Sequence, residues 1–220
     1  MNAIAEVRPS AGGVRVENVI TSGTFELDGG AWEVDNNIWL VGDDHQVVVI
    51  DAAHDAAPIV EAVGDREVQA IVLTHGHNDH INAVGDLRAA FGAPVWLSRH
   101  DRMLWDAVYD NASPDHDLVE QTEFTIGDVT LRAIHTPGHS PGSHCLYADG
   151  LGAVFTGDTL FNGGPGATGR SFSDFPTIVE SIRSRLLTLP GQTVVLTGHG
   201  GSTTVGAEGP NVDAAEAQAQ

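Results

Sequence analysis

The sequence predicts an α/β fold, on three observations. Apolar runs of strand length recur along the chain, at residues 70–73, 129–134, 152–155 and 194–196. Segments with apolar residues three or four apart, such as 81–91, lie between them and have the spacing of helices packed on a sheet. The histidines and aspartates of four glycine-containing motifs sit just past the ends of those runs, where loops from a central sheet converge.

In chain order, residues 1–12 read as a loose leader ending at Gly12-Gly13, without the apolar stretch of a signal peptide. Alternating residues 14–20 and the apolar runs 37–41 and 46–50 are strands, the latter two joined by the turn formers Gly42-Asp43-Asp44. A helix follows at 58–63, with Pro58 tolerated in its first turn and Gly64-Asp65 ending it. The strand at 68–73 leads into a histidine-rich loop. Helix 81–91 carries Ile81, Val84, Leu87 and Phe91 on one face and stops at Gly92-Ala93-Pro94. A short strand at 95–97, a helix at 99–109 and a loop at 111–117 come next. A hairpin at 124–134 turns at Gly127-Asp128, and further strands lie at 143–147 and 153–155. Helix 177–187 points Ile178, Ile182 and Leu186 inward, strand 194–196 closes the fold, and residues 207–220 read as a flexible polar tail. Residues 13–206 therefore form one domain, the size that 220 residues allow.

Composition narrows the function. The chain holds 30 acidic residues against 10 arginines and no lysine, a formal charge of −20. Such a field repels polyanions and excludes nucleic acid as a partner. No run reaches the length of a membrane span, so a cytoplasmic address with no membrane contact is expected. Cys145 stands alone in an apolar run, as a small core residue and not as half of a disulfide.

The chemistry concentrates in Thr74-His75-Gly76-His77-Asn78-Asp79-His80. His75 and His77 lie two apart and project the same way from an extended turn, so one cation can take both. Asp79 and His80 present themselves to a second point as the chain turns into a helix. Imidazole mixed with carboxylate suits zinc, iron or manganese and not calcium. His139 in Thr136-Pro137-Gly138-His139, Asp158 in Thr156-Gly157-Asp158-Thr159 and His199 in Thr197-Gly198-His199-Gly200 extend the set.

This ordered pattern resembles the metallo-β-lactamase superfamily, and Thr-Gly-Asp-Thr at 156–159 is similar to its glyoxalase II (hydroxyacylglutathione hydrolase) branch. The resemblance implies an αββα sandwich, two mixed sheets flanked by helices, with two divalent cations, Zn2+ foremost and Fe or Mn as alternatives. It assigns His75, His77 and His139 to one metal, Asp79, His80 and His199 to the other, and Asp158 to both. Asp51, ending the strand at 46–50, is implied to orient a ligand from behind; the residues alone equally allow it to cap the helix that starts near Asp55. Arg170, at the end of the glycine-rich stretch 163–170, is a candidate for gripping a substrate carboxylate or for a structural ion pair. His54 is a weaker candidate for substrate contact. His135 and His144 are expected to point away from the metals or to support the loop.

The implied activity is hydrolysis of a small-molecule thioester of a low-molecular-weight thiol, glutathione or mycothiol, by a hydroxide between the metals, with Asp79 and Asp158 as the catalytic carboxylates. In the β-lactamases the position of Asp158 is typically cysteine, which disfavours antibiotic hydrolysis. A lactonase using the same donors and a mononuclear iron persulfide dioxygenase are the alternatives. A non-catalytic binding module is disfavoured because all seven donor positions are filled.

Overall fold

The computed structural model describes residues 5–219, and the first part of the expected leader lies outside them. Strands β1 (Arg15–Leu27), β2 (Gly30–Gly42), β3 (Gln46–Ile50), β4 (Glu67–Val72), β5 (Val95–Leu97) and β6 (His116–Asp117) form one sheet in that order. β1, β2 and β3 pair antiparallel, and β3 to β6 run parallel. The second sheet takes β7 (Glu123–Ile126), β8 (Val129–His135), β9 (His144–Ala148), β10 (Ala153–Gly157), β13 (Val194–Thr197) and β14 (Thr203–Thr204). Between them in sequence, β11 (Leu160–Phe161) and β12 (Gly164–Pro165) make a small ribbon. Helices α1 (Ala56–Val63), α2 (Asn78–Ile81), α3 (Val84–Phe91) and α4 (Arg102–Asp106) belong to the first half, α5 (Phe175–Ser181) and α6 (Val205–Ala219) to the second.

The layers follow from the two-residue period of the strands. In β2 and β3, Trp39, Val41, Val48 and Ile50 point into a core shared with Leu131, Leu146, Phe155 and Leu196 of the other sheet. Their neighbours Ile38, Leu40, Val47 and Val49 point the opposite way, onto Ile59, Leu87 and Trp105 of the helices. On the far side Cys145, Val154 and Val195 meet Ile178, Ile182, Leu186 and Val212. Helix, sheet, sheet and helix therefore stack as an αββα sandwich, as the resemblance implies. The central strands read as continuous apolar runs because both of their faces are buried.

Several boundaries differ from the expectation. β1 and β2 run on to form a hairpin of 13 residues a side, closed by Asp28 and Gly29 at φ 53° and 75°. Two successive positive φ values are the tight hairpin turn that Asp-Gly favours. The helix expected at 81–91 is broken, because α2 ends at Ile81 and Ala83 sits outside helical geometry at φ −94°, ψ 0°. Asp55, not Asp51, caps α1, accepting from the Ala57 N–H. In the loop expected at 111–117, His116 and Asp117 add β6 to the sheet edge, with the His116 ring against Trp96.

Both ends of the chain also correct the reading. The expected tail is α6, whose Val212 is buried in the outer core and whose Glu208, 1% exposed, accepts from Gly163 N, Thr203 Oγ1 and Asn211 Nδ2. Alanine-rich polarity hides the few residues that anchor it. The described part of the leader is held too. Val7 packs on the inner core, and Asp128 accepts from Ser10 Oγ and Gly12 N.

Candidate metal centre

All seven predicted donors meet at one edge of the sandwich, in three overlapping groups whose ligand atoms lie within 4.8 Å of one another. His75 and His77 come from the turn between β4 and α2, Asp79 and His80 from α2 itself, His139 from the loop after β8, and Asp158 and His199 from just past β10 and β13. The loops approach closely because glycine stands at the crossings. A Cβ on Gly198 would lie 2.3 Å from Asp158 Oδ1, and one on Gly157 would lie 2.5 Å from Thr74 Oγ1.

Hydrogen bonds behind the rings fix which nitrogen faces inward. His139 Nδ1 lies 2.9 Å from the Ala167 carbonyl and His199 Nδ1 lies 2.8 Å from the Asp35 carbonyl, so each carries its proton there. His80 Nδ1 meets Asp51 Oδ2 at 2.9 Å. Thr74 Oγ1 donates to that same Asp51 oxygen, which leaves it to accept from His75 Nδ1 at 3.1 Å. Four imidazoles thus turn Nε2 to the centre. His75 Nε2 and His139 Nε2 each lie 3.0 Å from His77 Nδ1. On the other side, His80 Nε2 is 3.4 Å from Asp158 Oδ1 and 3.5 Å from Asp79 Oδ2, and His199 Nε2 is 3.3 Å from both Asp79 Oδ2 and Asp158 Oδ2.

Lone pairs turned on one another repel unless a proton or a cation lies between them. Buried Asp79 Oδ1 and Asp158 Oδ1 have no hydrogen-bond partner, a state that buried carboxylates avoid. This donor set fits two divalent cations, three nitrogens for one and a mixture of nitrogen and carboxylate oxygen for the other. Asp158 reaches both sets, since its Oδ2 is also 3.6 Å from His139 Nε2.

Without metal, protons take up the strain unevenly. Burial, helped by His139, pulls the His77 imidazole down to about 3, and burial with the neighbouring histidines holds His75 well below its ordinary value. Burial opposes charge at His199 too, but Asp158 and Asp79 outweigh it and push that ring up to about 10. The same carboxylates hold His80 well above its ordinary value against a full burial penalty. In return His80 and His199 bring Asp79 down to about 2, although burial works the other way. The second set therefore holds its cationic charge on protonated rings until a metal replaces them.

The centre opens on a cavity of about 410 Å³, walled by Phe25, Trp32, Val34 and Phe161. Arg170 lies at its wall with the guanidinium 3.8 Å above the Trp32 ring, in a cation–π contact. His54 is not among the cavity's residues. Its Nε2 meets Asn36 Oδ1 at 2.8 Å, because the strained backbone at φ 58° turns the ring behind the site. Asp51 accepts from Thr74 N and Thr74 Oγ1 besides meeting His80, a position behind the ligands. His144 Nδ1 bonds the Gly142 carbonyl and His135 Nε2 the Pro141 carbonyl, so both support the loop. Cys145 is buried, and burial pushes its thiol up to about 11.

Sequence reading missed two buried polar residues. Asn36 Nδ2 donates to the Asp79 carbonyl at 2.8 Å and to Asp79 Oδ2 at 3.1 Å. Asp101 accepts from Gly76 N, Ser140 Oγ and Gly142 N. Neither sits in a motif; Asn36 lies in the polar triplet Asp35-Asn36-Asn37 ahead of the apolar run that starts at Ile38, which carries no signal of its role.

Residues 31–199 match the family model described as the metallo-beta-lactamase superfamily. The chain belongs to that superfamily. Among its relatives, a probable metallo-hydrolase, YqgX, of Bacillus subtilis is 36% identical over 77% of this chain and 87% of its own. The hydroxyacylglutathione hydrolase GloC of Haemophilus influenzae is 31% identical over 78% of this chain and 89% of its own, which supports a glyoxalase II-like branch of the family. Among solved structures, TTHA1623 in a di-iron-bound form superposes with TM-score 0.72 at 31% identity, covering 79% of this chain and 92% of that one. The BLEG-1 B3 metallo-beta-lactamase gives TM-score 0.72 at 32% identity, over 85% and 95%. ETHE1 from Myxococcus xanthus gives 0.66 at 25% identity, over 86% and 80%.

Proposed function

We propose that this member of the superfamily hydrolyses a thioester between a small acyl group and a low-molecular-weight thiol, glutathione or mycothiol. One observation carries the choice of leaving group. Apart from the seven donors, the ionisable residues of the cavity are Asp35 and Arg170. Asp35 accepts from Ser22 at 2.6 Å, and arginine does not give up its proton. No residue there protonates a departing oxygen. A thiolate, with a thiol pKa of about 8.5, departs without that help, whereas an alkoxide does not.

His75, His77 and His139 would hold one cation and Asp79, His80 and His199 the other, with Asp158 serving both. Two divalent ions so placed supply Lewis acidity and water deprotonated near neutral pH, and zinc fits the donors, with iron or manganese as alternatives. The chain's own residues do the rest. Asp79 lines the cavity and can both ligate a metal and orient the attacking water. Phe25, Trp32 and Phe161 bind the apolar part of the substrate and exclude bulk water. Arg170, resting on Trp32, offers its donors to a substrate carboxylate. The charge of −20 supports a small substrate over a polyanion, and no helix among the described residues is long and apolar enough to cross a membrane.

Metal analysis of protein purified without added metal, followed by a screen of glutathione and mycothiol thioesters, acyl-homoserine lactones and a β-lactam on that sample, tests the proposal. Two metals per chain and turnover of thioesters above lactones are expected. The family resemblance implies one second reading, a mononuclear iron persulfide dioxygenase, with His75, His77 and His139 as a ready cluster and Asp158 beside it. One iron per chain with oxygen uptake on a persulfide would establish it and remove the thioesterase.

A further inference from the structure

Asp101 lies outside every recognised motif, at the end of a 3-10 turn formed by Arg99–Asp101 that leads into α4. It is fully buried, yet it has no cationic partner. What surrounds it are hydrogen-bond donors from two loops. Gly76 N, between His75 and His77, donates to Oδ2 at 2.8 Å. Ser140 Oγ, next to His139, donates to the same oxygen at 2.7 Å, and Gly142 N donates to Oδ1 at 2.6 Å. Gly76 stands between His75 and His77 in the segment that runs on to Asp79 and His80, Ser140 and Gly142 follow His139, and none belongs to a segment carrying His199 or Asp158.

The two glycines make this approach possible. A Cβ on Gly142 would lie 2.6 Å from Asp101 Cγ, and one on Gly76 would lie 2.9 Å from Asp101 Cβ. The carboxylate thus fills the gap between the loops and stitches them together. Behind the other donor set stand different groups. Asp51 meets His80 Nδ1 directly and reaches His75 only through Thr74 Oγ1, and Asn36 holds Asp79.

We propose that Asp101 is a positioning residue for one half of the centre, fixing the His75–His77 turn and the His139 loop on one another, while Asp51 and Asn36 touch His80 and Asp79 of the other half directly. The inference rests on the reading that the seven donors hold two cations. Groups that orient metal ligands through the backbone or a ring typically govern affinity by roughly 10–100-fold. Here the effect is confined to one half. Asparagine at position 101 keeps the size but turns an NH2 group toward a donor, which removes one arm of the stitch.

Zinc affinity is measured by competition with a chromophoric chelator in two backgrounds, each retaining one half. His199→Ala leaves the three-histidine half, and His139→Ala leaves the half with Asp79 and His80. Adding Asp101→Asn is expected to weaken zinc binding roughly 10–100-fold in the first background and to leave the second within about twofold. Ser140→Ala, a milder change that removes one donor, is expected to act in the same background only and to a smaller extent, which covers the case in which circular dichroism shows the Asp101 variant unfolded. Equal losses in both backgrounds mean a general structural role and overturn the inference, as does no loss in either. If the unsubstituted protein binds fewer than two zinc ions, the dinuclear reading fails instead.

Discussion

At the residue scale the centre depends on charge held in place by few atoms. Asp158 meets both donor halves, at 3.4 Å from His80 Nε2 and 3.6 Å from His139 Nε2. Replacing it by Asn is expected to lower both metal content and turnover, the latter by about 100-fold or more, as judged from groups that merely support ligands; elemental analysis and steady-state kinetics decide. His144 makes a separate prediction. Burial pushes its ring down from 6.5 to about 4, and its Nδ1–H is held by the Gly142 carbonyl. The folded value lies below the unfolded one, so the unfolded chain takes up the proton first as pH falls. Stability from this group is complete above pH 6.5 and is lost between 6.5 and about 4, at up to about 1.4 kcal/mol per pH unit. Urea unfolding of metal-free protein and of its His144→Asn variant, at both ends of that window, should show the variant losing less. An equal loss in the two would place the acid sensitivity elsewhere.

At the element scale two segments outside the motifs support the site. The β1–β2 hairpin carries Phe25 and Trp32 to the cavity, and its tip is tied to the glycine-rich loop by Ser171 N donating to Asp28 Oδ2 at 2.9 Å. Gly29 at φ 75° makes the turn. Gly29→Val should cost about 1–2 kcal/mol, the penalty of a side chain in that region, and raise KM more than it lowers kcat, because the wall and not the metal donors moves. The C-terminal helix is fixed at Glu208. Glu208→Ala leaves Gly163 N, Thr203 Oγ1 and Asn211 Nδ2 without their acceptor, and is expected to destabilise by about 2 kcal/mol with a lowered unfolding midpoint. The hairpin was legible from Asp28-Gly29, the strongest short hairpin signal, flanked by Phe25 and Trp32. The helix was not, because the alanines and glutamines beyond residue 206 carry too few apolar residues for a periodic stripe, and one glutamate's long-range bonds hold it.

At the scale of the whole molecule, charge and metal set the stability. A net charge of −20 on 220 residues repels itself. Salt shortens the screening length from about 30 Å at 0.01 M to about 3 Å at 1 M. The thermal midpoint should therefore rise with sodium chloride across that range; a midpoint independent of salt would mean that the surface charges are already compensated. Metal acts through the donors. His80 and His199 hold protons in the metal-free site, so loading should release about two protons near neutral pH, measurable with an indicator in weak buffer. Chelation should lower the midpoint in turn, since metal binds the folded chain and not the scattered donors of the unfolded one.

The sequence by itself determined the α/β class and the seven candidate donors, while the αββα layering was what the family resemblance implied. Class and donors are written locally, the first in two-residue and three-to-four-residue apolar periods, the second in short glycine-bearing motifs after strands. Only the tertiary structure decided what stands behind the donors. Asn36 approaches Asp79 across 43 positions and Asp101 approaches Gly142 across 41. Partners so distant leave no spacing to read, because their meeting depends on how two sheets pack and not on any neighbour in the chain.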